Sequence, residues 1–152
     1  EGEMLSCGVS SVGKSPSVSG RTIRYWADIN ATGGGNEIFT DSDTARIIKL
    51  EIPEFRDCTD AVNIYGDSMS PIYKSGQIIL LRKWEESYIE YGCAYLITTK
   101  GGHRMVKILD KSESEENVTC ISANPKFSPF EVKKEDIISL WLVKGSICKS
   151  NM

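Results

Sequence analysis

Beyond residue 21 the chain is built of short apolar runs rich in β-branched and aromatic residues, interrupted again and again by Gly, Pro, Asn and Ser. Such runs predict strands, because branched side chains pack well on a pleated surface and lose freedom in a helix. The pattern gives strands over residues 22–29, 46–52, 61–65, 77–82, 93–99, 103–109, 118–122 and 137–147. Lys100-Gly101-Gly102 lies between two of them and predicts a hairpin, since glycine takes positive φ at no steric cost. Ala31-Thr32-Gly33-Gly34-Gly35-Asn36 breaks the first strand, and Ser112-Glu113-Ser114-Glu115-Glu116-Asn117 reads as a solvated turn. One short helix is expected over residues 68–74, where Ser70-Pro71 puts a proline in a first helical turn. The fold class is therefore mainly β, with many short strands. Residues 1–20, rich in Ser and Gly and without periodicity, read as a flexible linker, and residues 21–152 as one domain.

Composition narrows the function classes. A net charge of −3 and a pI near 5.3 argue against this chain gripping a nucleic-acid backbone by itself, because phosphate binding needs clustered Lys and Arg. The five cysteines, Cys7, Cys58, Cys93, Cys120 and Cys148, form no C-x-x-C pair, which predicts reduced thiols, no zinc site and a cytoplasmic location. No apolar run approaches the ~18 residues of a membrane span, and the N-terminus has no signal-peptide plan. The chain starts at Glu1 rather than Met and reads as part of a longer product. No cofactor and no metal are expected.

The candidate chemistry lies in Gly66-Asp67-Ser68-Met69-Ser70-Pro71 and in Met105-Val106-Lys107-Ile108-Leu109. With His103 as the one histidine, a Ser-Lys pair is easier to assemble than a triad. Ser68 sits where a strand gives way to a short helix, a junction that exposes the hydroxyl and leaves backbone N–H groups free, so the amides of Asp67 and Ser68 are candidate oxyanion donors. Strand alternation puts Lys107 on the face opposite Val106 and Ile108. To act as a base near neutral pH it needs its pKa lowered by about 3 units, which burial beside a neutral hydroxyl supplies and a carboxylate would oppose. Asp67 is therefore expected to point away from the amine. The blander readings are a turn serine and an exposed strand lysine. Trp26, Trp84 and Trp141 read as core or dimer-interface residues, and His103 as an exposed residue on the same strand face as Lys107.

Asn63 to Pro71, the Ser75-Gly76 turn, the Val106-Lys107-Ile108-Leu109 segment, the Gly-rich turn at residues 31–35, and Ser122-Ala123-Asn124-Pro125 with Phe127 and Pro129 resemble, in order, the C-terminal domain of LexA-like self-cleaving repressors. The resemblance covers residues 23–147. It implies a regulatory and dimerisation domain of a phage-type or damage-response transcriptional repressor, with one short helix at the nucleophile and latent intramolecular cleavage. Ser68 would be the nucleophile and Lys107 the base. The partners it implies are a second copy, in a homodimer; operator DNA, through a helix-turn-helix domain absent from this chain; and a RecA-like co-protease filament. The scissile bond falls at Thr32-Gly33, at the family's usual separation from the nucleophile, although Thr32 stands where Ala or Cys is usual. Cys7-Gly8 is the second choice. Gln77 replaces the usual Asp after the turn glycine and reads as structural. Two other functions share the pattern: a cleavage-inactive dimerisation or sensing module, and a UmuD-like polymerase accessory subunit.

Overall fold

A computed structural model describes residues 22–30, 33–34, 46–49 and 52–148. The strands are β1 (Thr22–Asn30), β2 (Gly33–Gly34), β3 (Arg46–Lys49), β4 (Asp60–Asn63), β5 (Ile78–Lys83), β6 (Ala94–Thr99), β7 (His103–Lys111), β8 (Asn117–Ile121), β9 (Phe130–Lys133) and β10 (Ile137–Ile147). They form one sheet in the order β3-β1-β4-β5-β10-β6-β7-β8-β9, with β2 added to β7. Only β1 and β4 run parallel; every other pairing is antiparallel. The fold is mainly β, as the alternation predicts. The expected linker at residues 1–20, Thr32 and the Cys7-Gly8 pair lie outside the described residues.

Both faces of the central strands are covered, which explains why their sequences are nearly continuous apolar runs. On β6, Leu96 faces a cluster with Val62, Met69, Ile79, Val106 and Trp141, while Tyr95 and Ile97 face another with Leu109, Val118, Cys120 and Leu142. On the remaining part of the sheet Ile23, Cys58, Ala61 and Leu80 form a third cluster. All three tryptophans are buried, in keeping with a core role. The β6–β7 hairpin closes through the Gly102 N–H donating to the Thr99 carbonyl at 2.9 Å, with Gly102 at φ 85°.

Four expectations are corrected. Residues 68–74 form turns, not a helix: the bond from Tyr73 N–H to Met69 O at 2.8 Å is a single α-type turn. The loop is too short to continue, because Gly76 N–H and Gln77 O already bond back to Ile64 at 2.6 and 2.9 Å. Gly33–Gly34, read as part of a break, pairs with β7 instead. Strand β9 was not foreseen; it is short and carries Glu131 and Lys133, as edge strands often do. Cys93 is disulfide-bonded, whereas Cys58, Cys120 and Cys148 are free thiols. The C-terminal strand β10 lies inside the sheet between β5 and β6. Among the described residues no helix is long and apolar enough to cross a membrane, and no group of His, Cys, Asp and Glu could hold a metal.

The entry into the Ser68 segment is fixed by a buried carboxylate at the start of β4. Asp60 is fully buried, accepts from Trp26 Nε1 at 2.8 Å and Thr59 Oγ1 at 2.7 Å, and pairs with Arg24 at 3.1 Å. The Asp60→Ala variant should lose about 2 kcal/mol of stability in urea unfolding, because the Trp26 N–H is left buried without its acceptor. The half-exposed Arg24 can turn to water and adds little.

Candidate active site

Strand β4 delivers the chain to Ile64, and Gly66 at φ 92° turns it sharply enough to set Ser68 at the sheet end. The turn is closed at its base: Asn63 Nδ2 donates to Gly76 O at 3.2 Å, Gly66 N–H to Ser75 Oγ at 3.1 Å, and Lys74 N–H to Gln77 Oε1 at 3.0 Å. Gln77 is thus a structural residue, as read from the sequence. Met69, 1% exposed, anchors the turn in the core beside Val106 and Trp141.

Lys107 reaches this turn from the middle of β7. Its Nζ lies 3.2 Å from Ser68 Oγ, within hydrogen-bond distance, and its side chain is buried with 9% exposure. Burial holds the Lys107 ammonium below its ordinary value of 10.5, because a low-dielectric setting disfavours the charged form. Its neighbours do not reverse this. Tyr95 stands directly across on β6, with its hydroxyl tied to the backbone of Glu90 at 3.0 Å, and burial pushes its pKa up to about 12. Cys120 lies diagonally across on β8, opposite Leu109; burial pushes its thiol up to about 11, against a smaller pull from Lys107. Both groups are neutral at physiological pH, and the smaller upward pull of Cys120 on the amine does not undo the lowering by burial.

Asp67 is exposed and is not among the groups acting on Lys107. The amides of Asp67 and Ser68 make no hydrogen bond among the described residues. His103 is exposed at the start of β7, opposite Gly34 and away from the pair. Of the expected scissile pair only Gly33 is described; it pairs with Arg104, three positions before Lys107 on the same strand. Strand β8 pairs with β7 only from Ile108 onward, so on that side residues 105–107 face no described strand. Sequence reasoning gave no role to Asn124, whose backbone N–H donates to Ser68 O at 2.9 Å and whose Nδ2 donates to Asp67 O at 3.0 Å.

A sheet of short strands that seats a serine on a tight turn against a buried lysine defines a class, the β-fold domains built around a Ser-Lys pair. Residues 28–142, more than half of the chain, match the family described as Peptidase S24-like, and the chain belongs to that family, the self-cleaving family of LexA and the phage repressors. No curated protein matches the chain.

The lowered Lys107 pKa carries a stability consequence. Between that lowered value and 10.5 the unfolded chain holds the proton and the folded chain does not, so the unfolded state binds more protons and stability rises with pH. The destabilisation is fully present below the folded pKa and is gone above 10.5. Replacing the amine by an apolar chain of similar length, Lys107→Met, should stabilise the protein by about 1 kcal/mol at neutral pH and flatten this dependence, read by urea unfolding across the alkaline range.

Proposed function

We propose that this chain is the regulatory and dimerisation domain of a phage-type transcriptional repressor that cuts its own backbone with Ser68 and Lys107. The observation that carries the reading is the 3.2 Å contact between Lys107 Nζ and Ser68 Oγ, with the amine buried and, among the described residues, no carboxylate acting on it. Neutral Lys107 takes the Ser68 hydroxyl proton as Oγ attacks the carbonyl carbon of the scissile residue. The amides of Asp67 and Ser68 receive the oxyanion. On collapse the C–N bond breaks, the ammonium of Lys107 passes the proton to the departing amine, and an acyl ester remains on Ser68. Water activated by the again-neutral Lys107 then hydrolyses that ester.

Thr32-Gly33 is the bond assigned to this reaction. Supporting it is the pairing of Gly33 with Arg104 on β7, the strand that carries Lys107, and the side of residues 105–107 away from β6, where no described strand lies and an extended backbone can join. Tethering makes the attack unimolecular, so no tight pocket for a free substrate is required. In the full product this domain would pair with a second copy, act in the cytoplasm, and reach operator DNA through a helix-turn-helix domain. A RecA-like filament would act as co-protease.

Purified protein held at alkaline pH should split between Thr32 and Gly33, with a rate that rises about tenfold per pH unit until Lys107 is neutral, at a pH below 10.5. Mass spectrometry of the fragments checks both bond and rate. Ser68→Ala should abolish the cut, and Lys107→Arg, which keeps the charge but cannot lose a proton, should slow it by at least about 10²-fold. Intact chain at every pH would sink the cleavage reading and leave the inactive dimerisation module; a product with no helix-turn-helix segment would instead favour the polymerase accessory subunit.

A further inference from the structure

We infer that Asn124 is a positioning residue for the Ser68 reaction: it locks the peptide plane that aims the Ser68 N–H, the amide assigned to the oxyanion. The inference rests on the self-cleavage reading above and adds to it a residue fifty-seven positions from its target.

The geometry begins with the turn that follows β8. Phe127 N–H donates to Asn124 O at 3.1 Å and Lys126 N–H donates to Asn124 Oδ1 at 3.0 Å, while Pro125 fixes φ at the next position. The side-chain oxygen is thereby occupied within its own turn, and the amide orientation is set by that network. Its Nδ2 is left to donate outward, and it does so to Asp67 O at 3.0 Å. The backbone N–H of the same residue donates to Ser68 O at 2.9 Å. Asn124 therefore holds two consecutive carbonyls of the nucleophile turn.

A trans peptide unit is rigid and planar, with its C=O and N–H directed oppositely. The Asp67 carbonyl shares its plane with the Ser68 N–H, so fixing one fixes the other. Ser70 N–H also donates to Asp67 O, at 3.1 Å, but it belongs to the same turn and moves with it. Asn124 is the anchor from outside, delivered by the end of a strand that pairs with β7. It ties the donor on the nucleophile turn to the part of the sheet that carries the base. A donor already aimed at the developing charge has no reorganisation left to do when the bond is attacked.

The test is a pH–rate profile of self-cleavage for the parent chain, Asn124→Asp and Asn124→Ala. Asn124→Asp keeps the acceptor for Lys126 N–H and removes the outward donor while adding a negative charge, whose effect on Lys107 the inflection reports, so it carries the test if the alanine variant does not fold. The expected result is a plateau rate at least about tenfold lower, with the inflection that reports Lys107 unmoved and the melting temperature of Asn124→Asp close to the parent's. A rate within twofold of the parent, or a loss explained by a shifted inflection, overturns the role. If the parent is not cut, the self-cleavage reading fails separately, and Asn124 is judged by labelling of Ser68 with a fluorophosphonate, whose phosphoryl oxygen draws on the same amide. Slower labelling in Asn124→Asp supports the role; equal labelling, or none in the parent, overturns it.

Discussion

A lysine can act as a base only where its charge is unwelcome, and the structure around Lys107 is arranged by that constraint. The amine must be removed from water, and burial disfavours the charged form, so the group gives up its proton at a lower pH than it would in water. This is why the neighbours matter as much as the burial. Tyr95 and Cys120 are both acids, but burial keeps both protonated, with values pushed up to about 12 and about 11. A carboxylate at either position would hold the ammonium and leave Ser68 without an acceptor for its proton. The apolar residues of β6, β7 and β8 therefore serve the chemistry as well as the core.

The proposed nucleophile is held by a different logic. Ser68 lies on a turn rather than in a regular element, and turns are where conformational freedom concentrates. Here the freedom is removed by bonds that reach the turn from three directions. Gly76 and Gln77 close its base on Ile64, Met69 is driven into the core, and Asn124 holds its two carbonyls from the end of β8. The result is a 3.2 Å contact between groups on segments far apart in sequence, supported on both sides by packed structure.

Most of the sheet was legible because strands covered on both faces carry apolar runs, as residues 78–81 of β5, 95–97 of β6 and 140–143 of β10 do. Ser68 and Lys107 each sit in a short pattern that has a local meaning, and the structure brings them to 3.2 Å. What escaped had no local signal. Strand β9 follows Pro129 and carries two charges in four residues, so its pairing is decided by β8 and not by its own composition. The Gly33–Gly34 pairing looks like a break because glycine is permissive, and only the partner on β7 makes it extended. The expected helix at residues 68–74 failed because proline tolerance is a weak signal beside the closure at Ile64. Asn124 before Pro125 does signal a side-chain turn, but the target of its spare donor is a tertiary fact.

In the proposed reaction these features locate the control of cleavage. Ser68 and Lys107 are within bonding distance with the turn fully anchored, so the pair needs no rearrangement before it acts. What can vary is the protonation of the amine and the arrival of the bond to be cut. The first is set by burial, which lowers the pH at which the amine gives up its proton. The second depends on backbone joining β7 between the positions held by β2 and β8, a short stretch whose only described neighbour on the other side is β6. Two glycines next to that stretch let the main chain approach closely, and the stiff branched side chain of Thr32 before them resists it. A pair built ready and a substrate segment that enters with difficulty give a latent enzyme, whose rate is governed by how often the tethered bond reaches the serine.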